Sequence, residues 1–98
     1  MKLVAMYTQP DDVDAFEAEY ANHLKLVEKI PGLSGTRLTR FSRTLQGNGF
    51  YLMAEMMFPD KDTFKAAMRS PEMGATGKDA ARFAGDILTL MIASEEGA

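Results

Sequence analysis

Residues 50–58 read Phe-Tyr-Leu-Met-Ala-Glu-Met-Met-Phe, and Pro59 follows them. A short run rich in aromatic and apolar residues that stops at a proline predicts a β-strand. Alternate residues of a strand point to opposite faces. One face would carry Phe50, Leu52, Ala54, Met56 and Phe58, and the other Tyr51, Met53 and Met57. A strand with one face in water alternates apolar and polar residues. This one does not, so we expect both of its faces to be buried.

Six further segments surround this strand. Pro10, Pro31-Gly32 and Gly85 end three of them, because proline and glycine interrupt regular structure. Ser70-Pro71 predicts a fresh helix start, with serine as the cap and proline at the first helical position. Gly47-Asn48-Gly49 predicts a hairpin turn. The segments are strands over 3–8, 33–45 and 87–94, and helices from Asp11 or Asp12 to 30, over 60–70 and over 71–84.

The order of the segments, β-α-β-β-α-β, indicates an α+β fold with one antiparallel four-stranded sheet. Both crossovers must be right-handed, which places both helical layers on one face if the strands lie in the order 4-1-3-2. The opposite face is then bare, although the third and fourth strands are apolar on both sides. Large exposed apolar patches are rare on monomers. We therefore expect a homodimer through the sheet face.

The composition limits the class of protein. Ninety-eight residues are the size of one domain, which we expect to span 1–98. A net charge of −3 without a dense Lys/Arg stripe argues against a nucleic-acid partner. The apolar runs are far shorter than the ~20 residues of a membrane helix, and the N-terminal run is too short for a signal peptide. We expect no membrane partner and a cytoplasmic location.

A set of motifs along the chain points to a known family. The motifs are Tyr7 with Gln9-Pro10-Asp11, Ala15-Phe16 with Tyr20 and His23, Leu26, Ile30-Pro31-Gly32-Leu33, the run 51–56 and Ser70-Pro71-Glu72. Together they resemble the EthD family over nearly the whole chain. The resemblance implies a ferredoxin-like domain that pairs into a dimeric α/β barrel. One position departs from the family, because Lys25 replaces a proline, and this suggests that the first helix continues toward Ile30.

The resemblance implies little about activity. The family is named after a gene cluster for ethyl tert-butyl ether breakdown, in which its own role is undefined. Related dimeric barrels include cofactor-free monooxygenases, lactone isomerases, polyketide cyclases and haem-binding enzymes. Ether degradation, isomerase chemistry and oxidoreductase chemistry are therefore all compatible with the fold, and a fold alone does not choose among them.

His23 is the only histidine and the first candidate for a catalytic group. It lies within about 20° of Phe16 on the helix face, at ~100° per residue, so it should point at the sheet. A neutral imidazole there could act as a general acid or base near pH 7. The alternative is a structural histidine bonded to a backbone carbonyl or a tyrosine hydroxyl.

Tyr20, one turn before His23, is the second catalytic candidate. The alternative is that it is a core residue with its hydroxyl at the rim. Tyr7, Phe16 and Val27 are predicted to line the substrate pocket.

Glu55 is the one charge inside the third strand. A turn at Gly47-Asn48 would place Arg40 opposite Glu55, whereas a turn at Asn48-Gly49 would place Ser42 there. In either register, strand parity separates Glu55 from His23, so it is left out of the catalytic set. We expect no metal, because one histidine and scattered carboxylates form no ligand cluster. We also expect no cofactor, and haem on His23 ranks last because the pocket of so small a domain would be tight.

Two functions follow from these residues. The first is an enzyme acting on a small apolar, carbonyl-bearing metabolite by isomerisation, cyclisation or cofactor-free oxidation, with His23 as general acid/base in a catabolic or secondary pathway. The second is a non-catalytic binding protein that holds such a molecule for a partner oxygenase. A small-molecule ligand is common to both.

Overall fold

The computed structural model describes residues 1–96 and confirms the predicted α+β fold. The elements are β1 Lys2–Tyr7, α1 Val13–Val27, β2 Gly35–Arg40, β3 Leu52–Met57, α2 Lys61–Met68, α3 Pro71–Ala84 and β4 Leu88–Ala93. The strands form one antiparallel sheet in the order β2-β3-β1-β4, which is the order for which right-handed crossovers place both helical layers on one face. Ser70 separates α2 from α3, because its Oγ accepts a hydrogen bond from the Met73 N–H at 3.1 Å.

The first helix is set by its cap and its apolar stripe. Asp12 caps it by accepting a hydrogen bond from the Ala15 N–H at 3.0 Å. The helix ends at Val27 and not at Ile30, and tighter i→i+3 turns carry the chain from there to Ile30. Gly32 follows with φ +79°, and a Cβ at this position would collide with the Thr63 side chain. Glycine is therefore required at the point where the chain leaves α1 for β2.

The core lies between the helices and one face of the sheet. The sheet contributes alternate residues of its two central strands, and the helices contribute their apolar stripes. The buried residues from the strands are Leu3, Ala5, Tyr7, Leu52, Ala54 and Met56, and those from the helices include Phe16, Tyr20, Val27, Phe64, Ala67 and Ala84. Leu52, Ala54 and Met56 belong to the face of the third strand that the sequence predicted as one apolar face.

The connection between β2 and β3 differs from the predicted hairpin. The strands end at Arg40 and begin again at Leu52, so residues 41–51 form a loop and the predicted strands 33–45 and 50–58 are both too long. Arg40 and Tyr51, at the ends of this loop, both donate hydrogen bonds to Glu17 on α1. These contacts hold the ends of the loop against α1. Arg40 stands opposite Leu52, and Glu55 stands opposite neither Arg40 nor Ser42, so both predicted registers are wrong.

Glu55 lies on the face of the sheet that turns away from the helices. It stands opposite Arg37 in β2 and Val4 in β1, and it pairs with the ammonium of Lys2 at 2.5 Å. This ion pair accounts for a buried carboxylate in a strand of otherwise apolar residues. The other apolar residues of this face include Val4, Met6, Met53, Met57 and Met91.

The helices are short. The longest is α1, with 15 residues, and within residues 1–96 no helix combines the length and the apolar character that crossing a membrane requires.

Candidate active site

A cavity of about 70 Å³ lies between the sheet and helices α1 and α3. Its lining includes Tyr7, His23, Thr76, Gly77 and Leu90. Leu90 is 52% exposed and Gly77 is also exposed, so the cavity opens to the surface between α3 and β4. A water molecule occupies about 30 Å³ in the liquid, so the cavity has room for two water-sized groups. We call the gap between Gly77 and Leu90 the cavity mouth.

His23 is 4% exposed and projects from α1 into this cavity lining. Its Nδ1 lies 2.9 Å from Oδ2 of Asp79 on α3. The rings of Tyr20 and Phe83 flank the imidazole, with centroids 5.6 and 5.3 Å away. A carboxylate bonded to Nδ1 selects the tautomer that carries its proton there and leaves Nε2 as the basic nitrogen. The partner is thus neither of the two groups expected for a structural histidine.

Asp79 is held from its other side by Arg82. The guanidinium donates to Oδ1 at 2.8 Å from Nη2 and at 3.2 Å from Nε, and the same Nη2 donates to Glu19 at 2.6 Å. Burial opposes ionisation of Asp79, but the hydrogen bonds from His23 and Arg82 outweigh it and lower the pKa of the carboxyl. Asp79 is therefore a carboxylate at neutral pH. Glu19, Arg82, Asp79 and His23 are thus linked in series, and we call these four side chains the polar network.

Tyr20, which contacts His23, belongs to a cluster of three aromatic rings with Tyr7 of β1 and Phe16 of α1. Tyr7 meets Phe16 and Tyr20 edge-on at 5.4 and 5.7 Å, and Phe16 stacks on Tyr20 at 5.6 Å. Burial, with a smaller contribution from Asp79, raises the pKa of the Tyr7 phenol to about 12. Burial raises the pKa of Tyr20 as well. Both phenols are neutral at pH 7 and can only donate or accept hydrogen bonds.

The structure brings some of the predicted site residues together and separates others. His23 and Tyr7 both line the cavity. Tyr20 contacts the imidazole ring, but it lies behind His23 and outside the lining residues. Phe16 is buried in the aromatic cluster and lines a second groove, between the start of α1 and the end of α3. Val27 is buried in the core. The roles of all five residues stay predictions.

A family model described as the EthD domain matches residues 9–87 of the chain. The chain belongs to the EthD family. It is 47% identical to an ethyl tert-butyl ether (EthD) family protein from Bacillus halodurans, with a TM-score of 0.90 and 97% of each chain covered. No curated protein matches this EthD chain.

Two more distant solved structures share the fold of this EthD protein. A dimeric ferredoxin-like protein of unknown function from Thermobifida fusca is 18% identical, with a TM-score of 0.64, over 92% of this chain and 87% of that one. SnoaB, a cofactor-independent oxygenase from Streptomyces nogalater, is 19% identical, with a TM-score of 0.62, over 97% and 93%. At these identities the likeness shows the fold alone, and it confirms the predicted ferredoxin-like architecture.

Asp79 is the site residue that the sequence analysis of this EthD chain missed. It stands three residues after Thr76 and one before Ala80, both of which are buried. Helical periodicity therefore places Asp79 at the edge of the buried stripe of α3. An acidic residue beside a buried stripe could have indicated a site residue. The sequence around Asp79 does not show, however, that α3 packs against the histidine of α1.

Haem does not fit the cavity of this EthD protein. Pockets that bury drug-sized ligands measure roughly 300–1,000 Å³, whereas the cavity beside His23 measures about 70 Å³. A porphyrin cannot enter this space without large movement of α3 or β4. Among residues 1–96, no group of three or more His, Cys, Asp or Glu side chains is arranged to hold a metal ion.

A wider groove of about 500 Å³ lies on the outer side of the helices of this EthD chain. It runs between the start of α1 and the end of α3, and Phe16 and Phe83 form part of its wall. Glu19 and Arg82 also line this groove. The polar network thus connects this groove at one end with the cavity beside His23 at the other.

Proposed function

We propose that this EthD protein binds the carbonyl end of a small apolar molecule in the cavity and that His23 acts there as general acid and base. The observation that carries the proposal is the 2.9 Å contact between His23 Nδ1 and Asp79 at the cavity wall. It supports an Nε2 lone pair available to a ligand, because a carboxylate that binds Nδ1–H keeps the proton of the neutral imidazole on Nδ1.

The proposed chemistry is a proton transfer next to a carbonyl. Nε2 of His23 takes a proton from the carbon beside the C=O group, and the C–H electron pair moves to form an enolate. The resulting imidazolium returns the proton to the same or to another carbon, which gives exchange or isomerisation. Tyr7 also lines the cavity, and in this proposal its neutral phenol donates a hydrogen bond to the enolate oxygen. Tyr20 assists by contact with the imidazole ring.

The size of the cavity limits what it can hold. Two water-sized groups correspond to a carbonyl and its adjacent carbon, so the rest of the ligand must leave through the cavity mouth. Leu90 and Ile92 are 52% and 60% exposed on the helix side of β4. They offer an apolar surface beside the mouth for an alkyl or aryl tail.

The test uses butanone and 2-octanone as probes. Exchange of their α-protons in D2O, followed by NMR, should be faster with the protein than in buffer, and it should be lost in His23→Ala. General acid–base groups contribute roughly 10²–10⁴-fold, so the loss should be at least about a hundredfold. Ketone binding should survive in this variant, because the cavity grows rather than shrinks.

Binding without exchange in the wild type would instead support the alternative, a carrier that holds the ligand for a partner oxygenase. No binding of either ketone would remove both proposals.

SnoaB supports the enzyme proposal over the carrier proposal, because it is a cofactor-independent oxygenase with this fold. Cyclisation and cofactor-free oxidation start from the same proton removal. A role in ether degradation and a cytoplasmic location stay predictions.

We infer further that the protein is a homodimer through the face of the sheet opposite the helices. Met91 is 43% exposed on this face, and Val4, Met6, Met53 and Met57 lie beside it. Within residues 1–96, no helix packs on this side of the sheet. The dimeric relative from Thermobifida fusca supports a second copy as the partner that covers it.

A further inference from the structure

We propose that Arg82 is a positioning residue, which fixes the Asp79 carboxylate so that His23 carries its proton on Nδ1. This inference rests on the proposed function of the cavity. It extends that function beyond the lining residues to a pair of charges on the outer surface.

The two oxygens of Asp79 have separate partners. Oδ2 faces His23 at 2.9 Å, and Oδ1 faces the Arg82 guanidinium at 2.8 and 3.2 Å. The Asp79 side chain is 18% exposed, so without Arg82 its carboxylate could rotate and bind water instead of the imidazole. Arg82 thus determines which oxygen is free to bind Nδ1.

Arg82 is itself held in place, although its side chain is 57% exposed. Glu19 accepts from its Nη2 at 2.6 Å, and the guanidinium lies 5.8 Å from the centre of the Phe83 ring. The same ring contacts His23 with centroids 5.3 Å apart. Most surface ion pairs contribute little because both side chains move freely. Contacts with two acids and a ring reduce that freedom here.

The arrangement has a chemical consequence at Nε2. Only the tautomer with the proton on Nδ1 leaves a lone pair on Nε2 that can take a proton from a ligand. If the Asp79 carboxylate turns away, the imidazole is free to place its proton on Nε2, and the base is lost. Arg82 therefore acts on the reaction through Asp79 and never touches the ligand.

The experiment measures the His23 tautomer by heteronuclear NMR of the imidazole nitrogens, in protein without a histidine tag. The chain has one histidine, so the signals are unambiguous. In wild-type protein the neutral imidazole should be mainly in the Nδ1–H form. Arg82→Gln should convert this to a mixture in which the Nε2–H form is abundant. Arg82→Lys keeps a charged donor for Oδ1 and should restore much of the Nδ1–H form, whereas Glu19→Gln should give a smaller change than Arg82→Gln.

Lys78→Gln is the matched control, because Lys78 is an exposed cation on the same helix and its loss changes the net charge equally. An unchanged tautomer in Arg82→Gln, or an equal change in Lys78→Gln, would overturn the inference. Circular dichroism establishes that each variant is folded. The tautomer is measured without turnover, so the inference can hold even if the ketone exchange assay gives no activity and the proposed function fails.

Discussion

His23 Nδ1 lies 2.9 Å from Oδ2 of Asp79, although 56 positions separate the two residues in the chain. One residue comes from α1 and the other from α3, so the contact exists only when these helices pack side by side. Because Asp79 is ionised through its bonds to His23 and Arg82, the same contact links the chemistry of the cavity to the stability of the fold.

Asp79→Asn should reduce the loss in free energy of unfolding that occurs when the pH falls from neutral to acid. The pKa of Asp79 is lower in the folded protein than its ordinary value of 3.8. Its stabilising effect is therefore present above pH ~4 and is lost as the pH falls through the folded pKa, where the carboxylate is protonated. Urea unfolding at pH 7 and pH ~3 should show a smaller difference for the variant than for wild type. Asp11→Asn, a change in the loop before α1, is the control and should behave as wild type.

Tyr7→Phe should protect the fold against alkaline unfolding. The folded pKa of the Tyr7 phenol is about 12, against an ordinary value of 10.0. Between these values the unfolded chain loses the phenolic proton and the folded chain keeps it, so the stability of the fold declines as the pH rises through this window. The variant should lose less stability than wild type in urea unfolding between pH 10 and 12. An equal decline in both proteins would contradict the buried, neutral state of this phenol.

Gly77→Ala should narrow the cavity mouth, and Gly74→Ala should not. Both glycines lie within α3, and a Cβ at either position meets no atom within 4 Å. Each change should stabilise the helix by up to about 1 kcal/mol, since glycine is a poor helix former. Gly77 lines the cavity and Gly74 does not. Binding of 2-octanone, measured by calorimetry, should therefore weaken in Gly77→Ala alone, and equal affinities would place the ligand elsewhere.

Met53→Lys should separate the proposed homodimer without unfolding the protomer. Met53 is partly exposed on the bare face of the sheet and stands opposite Met6 of β1. A lysine there can extend its charge into water in a monomer, but in a dimer it would be buried between two sheets. Sedimentation should show a dimer for wild type and a monomer for the variant. Leu45→Lys, in a loop position that is 86% exposed, is the control and should remain dimeric.

Some features of the fold were predictable because they depend on neighbouring residues. Ser70-Pro71 marks the break between α2 and α3, and the stripe of Phe16, Tyr20, His23 and Val27 on α1 follows from helical spacing. The β2–β3 register was not predictable in this way. Gly47-Asn48-Gly49 favours a tight turn wherever it occurs, but Glu17 of α1 binds Arg40 and Tyr51 at the two ends of the loop.

The amino-acid sequence was sufficient to predict the order of the elements, a single layer of helices on the sheet and the position of His23 on the inner face of α1. Periodicity, caps and the handedness of crossovers act over a few residues or on chain order alone. The contact of Asp79 with His23, the position of Tyr20 outside the cavity lining and the mouth between Gly77 and Leu90 emerge only from the packed structure. These relationships join residues of separate elements, and they depend on how the side chains of two packed layers interlock.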